Sequence, residues 1–243
     1  MVDYAMHEHR EPGLTGAASG VLFVVLFISG LVPLGTLLGS FGDEDATFDA
    51  YFASSSNRAG NIVGGALLAA SAFVFLWFLH HLRQSLQPDD TRAATLANIM
   101  FSAGLVFVVL VLVGTAALVT VPITLAFGDL FDTDDVLEVG QAVLPQLGYV
   151  VLALYALWAA AVMVAVATVS ARRSGSFPRW LCRLGFVATG FIVLLGFSGG
   201  MAFFALPVWV LAVSVNWFRT QRGRPGENPI APGADAVSGL MGG

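Results

Sequence analysis

Gly196-Phe197-Ser198-Gly199-Gly200 has the G-x-S-x-G spacing that can present a serine nucleophile on a tight turn. A nucleophilic serine needs a base within about 2.6–3.2 Å to take its proton. The chain offers His7, His9, His80 and His81 as bases, and it contains no lysine. The helical layout derived below puts Ser198 at one membrane face and His80 and His81 at the other, about 30 Å away. The glycines therefore read as a turn, and no catalytic residue is expected.

Other chemistry meets similar obstacles. Adjacent helical positions such as His80 and His81 point about 100° apart, so the two rings cannot face one haem or metal ion. They read as a polar rim beside Arg83. Asp45 and Asp49 resemble the D-x-x-x-D of prenyltransferases, which holds magnesium with a diphosphate, but they fall on the outer side, away from cytoplasmic substrates. Asp132, Asp134, Asp135 and Glu138 lack the glycine and ligand order of a calcium loop. Both acidic groups read as solvated loops, so neither a metal nor another cofactor is expected. Without lysine there is no retinal Schiff base. A single cysteine, Cys182, cannot run dithiol chemistry. With no carboxylate inside a span, a proton- or sodium-driven carrier would lack its usual acid.

One constellation is left. Pro33, Pro122, Pro145 and Pro207 fall in the outer halves of the expected helices, where kinks would splay the bundle into a vestibule. Near that depth lie Arg58, Asn61, Thr120, Gln146 and Tyr149, which are the candidate ligand-binding residues. Arg58 is the lone cation on that side and is suited to an anionic small molecule or a lipid headgroup. The competing expectation is an ion pair of Arg58 with Asp49 or Glu138, a common arrangement near surfaces.

The elements that position these residues follow from charge spacing. Of 243 residues, 57% are hydrophobic and 11% charged, against about a quarter charged in ordinary soluble domains. No Asp, Glu, Lys or Arg occurs in 12–42, 59–82, 93–128, 139–171 or 184–218. About 20 apolar residues cross the hydrocarbon core as a helix, and a charge at its centre costs about 2.5–3.5 kcal/mol. The last window is too long for one span, because a helix of that length would reach about 52 Å. The Gly196–Gly200 cluster divides it in two.

The expected architecture is thus an all-α, polytopic transmembrane bundle forming one domain over 1–218. Its six helices fall at about 17–38, 57–86, 96–126, 133–170, 180–195 and 201–218. A disordered tail is expected over 219–243, where Pro, Gly and polar residues dominate. All eleven cations are arginines. In the six-helix layout every one except Arg58 falls on one side, which the positive-inside rule makes cytoplasmic. Both termini then face the cytoplasm, in a multi-pass protein of the plasma or inner membrane. Trp77, Trp180 and Trp217 should mark the inner interface. Gly16/Gly20, Gly35/Gly39, Gly60/Gly64 and Gly196/Gly200 have G-x-x-x-G spacing, which suits helix packing inside the bundle better than a dimer face.

Arg58-Ala59-Gly60 opening a helix that ends in Leu79–Leu86, and Phe177-Pro178-Arg179-Trp180-Leu181 opening the fifth helix, resemble stretches of bacterial multi-pass integral membrane proteins of unknown function. That resemblance implies no activity, cofactor or site residue. The expected role is non-enzymatic, either sensory, scaffolding or lipid-interacting, with the bilayer as partner and no nucleic acid. A small-solute permease opening through the outer vestibule is the second expectation. An intramembrane hydrolase using Ser198 is a distant third.

Overall fold

The computed structural model describes residues 14–40, 48–86, 91–127, 143–196 and 200–222. Helix α1 is Leu14–Ser40, α2 the short Phe48–Ala53, α3 Ser55–Ser85 and α4 Thr91–Ala126. Helix α5 runs Val143–Ser174 and contains a π-helical stretch, Val151–Ala156. Helix α6 is Arg179–Leu195, and a 3-10 turn, Gly200–Phe204, leads into α7, Ala205–Arg222. No strand occurs among the described residues. An apolar chain in oil must satisfy its backbone internally, and the helix does this within each segment.

Five segments are long and apolar enough to cross a membrane: Leu14–Leu34, Ser55–Ser85, Ala94–Ala126, Val143–Ser174 and Met201–Gln221. The remaining helix, α6, has 17 residues. At 1.5 Å per residue it covers about 25 Å, a little short of the hydrocarbon thickness. Large apolar side chains such as Val25, Phe73, Val109, Val162, Val187 and Leu194 stand exposed around the outside. Water would not tolerate such a girdle. The molecule is a multi-pass helical membrane protein.

The long helices close into a ring. Each packs on its neighbour in sequence, α1 on α3, α3 on α4, α4 on α5, α5 on α6 and α6 on α7, and α1 also packs on α7. Aromatic rings fill the centre. Phe23 lies 5.2 Å from Phe27 and 4.7 Å from Phe75 between ring centroids. Phe75 meets Phe107 at 5.2 Å, and Phe78 meets Trp217 at 5.5 Å. Trp209 is fully buried, with its indole against Gly185 of α6. Trp217 thus belongs to the core, whereas Trp77 and Trp180 are exposed as interface residues would be.

Two glycine seams set how closely the helices approach. A Cβ on Gly30 would stand 2.8 Å from the Gly64 carbonyl oxygen, and one on Gly64 would stand 2.9 Å from that of Gly30. Between α4 and α5, a Cβ on Gly148 would come within 2.7 Å of the Gly114 carbonyl oxygen. No side chain fits at such distances, which is why small residues mark helix contacts in membranes. Of the G-x-x-x-G pairs, Gly60/Gly64 faces Pro33, and Gly16/Gly20 faces His81, Phe78 and Ser214, so both are used inside the bundle.

Pro33 and Pro122 lie within α1 and α4. Pro207 behaves differently from the kink expected of it. It is in the first turn of α7, where the missing N–H has no intrahelical partner to lose. The stretch expected to be tail from residue 219 begins as helix, since α7 continues to Arg222.

Candidate functional site

The antiparallel ring collects the start of α1, the end of α3, the start of α4, the end of α5, the start of α6 and the end of α7 at one end. Thr15 and His81 are within hydrogen-bond distance there at 3.3 Å, and Arg83 donates to Asn98 Oδ1 at 2.8 Å. Among the described residues every arginine except Arg58 belongs to this end. Arg58 lies at the other, near the start of α3.

At the Arg58 end the chain turns from α2 into α3 within two residues. The last carbonyls of a helix have no partner within it. Here the first turns of α3 supply donors. Asn57 Nδ2 donates to the Tyr51 carbonyl at 2.9 Å. Arg58 Nη1 donates to the Phe52 carbonyl and, at 3.2 Å, to that of Ala53. Ser54 caps α3 by accepting from the Asn57 N–H at 3.4 Å. Asn61, buried to 1% exposure, donates to Tyr51 Oη at 3.0 Å and to the Asn57 carbonyl at 2.8 Å. Its Oδ1 is buried without a hydrogen-bond partner. Phe52, also buried, roots the corner in the core.

Of the five candidate residues, Arg58 and Asn61 therefore meet in one network with Asn57 and Tyr51. Thr120 is exposed and donates to the Ala116 carbonyl one turn back at 2.7 Å. Gln146 is exposed and Tyr149 half-buried against the core, both on α5. The guanidinium of Arg58 neutralises the C-terminal end of α2, a favourable place for a cation. Glu138, Asp45, Ser198 and the acidic group Asp132–Asp135 lie outside the described residues, as does the side chain of Asp49.

Most hydroxyls near the bundle centre are also committed to their own helices. Ser71 donates to the Leu68 carbonyl, Thr168 to that of Val164 and Ser214 to that of Val210. Such back-bonding lets a polar side chain sit in an apolar bundle without a ligand. His80 and His81 stand with ring centroids 5.7 Å apart and planes at 71°. Among the described residues no group of three or more metal-ligating side chains comes together.

Sequence reasoning missed a second site, at the arginine-rich end. Helix α5 ends at Gly175, whose φ of 70° is left-handed and turns the chain back sharply. Phe177 buries its ring and anchors the short loop, and Pro178 caps the start of α6 in extended conformation. This reversal places the last turn of α5 beside the first turns of α6. Between them is a cleft of about 680 Å³ lined by Arg172, Arg179, Arg183, Phe177, Cys182 and Phe186. Arg179 and Arg183, four positions apart, share a face of α6. Their spacing is visible in the sequence, but the return of α6 onto the end of α5, which brings Arg172 to them, is not.

No family model, no curated protein and no solved structure matches the chain.

Proposed function

We propose that this protein is a six-span integral membrane protein of the plasma or inner membrane, with both ends in the cytoplasm and a non-enzymatic role centred on lipid. The observation that carries this reading is the asymmetry of arginine between the two ends of the ring. Cations are retained on the cytoplasmic side of membrane proteins, and Arg58, the exception, is tied into a helix corner. Helix α6 would complete the six spans. A sensory or scaffolding role fits the same architecture.

The aromatic chain from Phe27 to Trp217 favours this reading over a permease. A solute path needs polar groups facing a continuous opening, and Phe75, Phe78, Phe107 and Trp209 are each buried within 1% exposure.

Sidedness is testable with single cysteines on a Cys182→Ala background. Ser55 and Ser176 are exposed at opposite ends. A membrane-impermeant maleimide should label Ser55→Cys in intact cells and Ser176→Cys only after the membrane is opened. Labelling of Ser176→Cys in intact cells would reverse the orientation.

A further inference from the structure

The start of α6 breaks a local electrostatic rule. The N-terminal end of a helix carries partial positive charge, and cations there are disfavoured. Yet α6 opens with Arg179 and Arg183 in its first two turns, no acidic residue in the first, and no side chain capping its N–H groups. Arg172 adds a third guanidinium from the end of α5. Among the described residues none of the three has a hydrogen bond or ion pair, in contrast to Arg58 and Arg83. Three cations and the positive end of a helix thus converge on one open cleft, with no acidic side chain among the described residues to balance them.

We propose that this cleft binds a phosphate group, presented by an anionic phospholipid. Guanidinium groups and free helix N–H groups both suit phosphate oxygens. The surroundings specify the lipid. Phe186 and Val187 are exposed one to two turns into α6, on the way toward the apolar girdle, so an acyl chain can lie along the helix while the headgroup sits among the arginines. Trp180 is exposed beside them at the depth where headgroups meet tails. Basic pockets between transmembrane helices are the usual receptors for anionic headgroups. The inference rests on this end lying at a bilayer surface, but not on which surface.

The test uses the full chain in detergent micelles, where there are no sides, so its outcome is independent of the cysteine-labelling result. Native mass spectrometry would count lipids retained from micelles doped with phosphatidylglycerol, phosphatidylcholine or inorganic phosphate. Wild type should retain phosphatidylglycerol in preference to phosphatidylcholine. Arg179→Gln with Arg183→Gln should weaken that retention about thirtyfold, at roughly fivefold per arginine near an anionic headgroup. Arg172→Gln alone should weaken it less, and Arg219→Gln, at the same end but outside the cleft, should leave it unchanged. Because these side chains are exposed, the variants should keep the wild-type melting temperature in phosphatidylcholine. Equal retention of the two lipids, or undiminished preference in the double variant, would overturn the proposal. Retention of inorganic phosphate with no preference between the lipids would overturn the lipid assignment in favour of a soluble phosphate compound.

Discussion

Arg58 and Arg179 are the same residue type, each placed near the start of a helix that follows a tight reversal, yet their situations differ. Arg58 folds back across the α2–α3 corner and binds the carbonyls of Phe52 and Ala53, where a helix C-terminus attracts positive charge. Arg179 follows Pro178 at the end of a short loop, and among the described residues it bonds none of the carbonyls that end α5. It shares an open cleft with Arg172 and Arg183 instead. Position relative to a helix start does not decide whether a cation is structural or available. What precedes the helix decides it.

Substitutions at the two ends of the bundle should differ in effect, from strong to weak. The largest effect is expected below the Arg58 corner, at the α1–α3 seam. Gly30→Val places a branched side chain where even a Cβ stands 2.8 Å from the Gly64 carbonyl oxygen. Overpacking of this kind costs about 3 kcal/mol, so the melting temperature in detergent should fall sharply, or the protein should fail to accumulate. Wild-type stability would mean the helices can part at that depth.

Arg58→Ala comes next. It strips two helix-end carbonyls of their donor and should lower stability by about 2 kcal/mol in denaturant titrations, while retention of phosphatidylglycerol stays unchanged. Lost binding of an externally added anion or lipid with unaltered stability would instead make Arg58 the ligand residue. Arg83→Gln tests an arginine of the other end that is committed, since it bonds Asn98 and lies 5.1 Å above the Phe101 ring. A loss of about 1 kcal/mol is expected by the same titration.

The smallest change in stability is expected for Arg179→Gln, within about 0.5 kcal/mol of wild type in neutral lipid. Its effect should appear only when anionic lipid is present, as a smaller rise in melting temperature on adding phosphatidylglycerol. Salt near 1 M, where screening acts over about 3 Å, should shrink the same rise in wild type. A rise insensitive to both salt and Arg179 would place the lipid elsewhere.

Much of the fold was legible because charge is so costly in oil. The windows free of Asp, Glu and Arg fall on the five long apolar helices that the structure describes. The candidate site was legible only in part. Arg58 and Asn61 do lie together, but the partner that joins them, Tyr51, comes from α2, a short helix whose return onto α3 no periodicity announces. Thr120 is on α4 and faces outward, a rotation that a nearly uniform apolar helix cannot reveal from its sequence. The seams show the same limit. G-x-x-x-G spacing singled out Gly60/Gly64, while Gly30, Gly114 and Gly148 make close backbone approaches as single glycines that meet a glycine on the facing helix.

The amino-acid sequence alone determined that this chain belongs in a bilayer, since burying so few charges among so many apolar residues has no other stable solvent. It also determined that arginine collects at one end. Tertiary structure decided the rest: which helix closes the ring, that rings of Phe and Trp fill its centre, and which arginines are already bonded. The reason is that oil selects for apolar surface without regard to direction. Only packing distinguishes a side chain that faces lipid, a neighbouring helix or an open cleft.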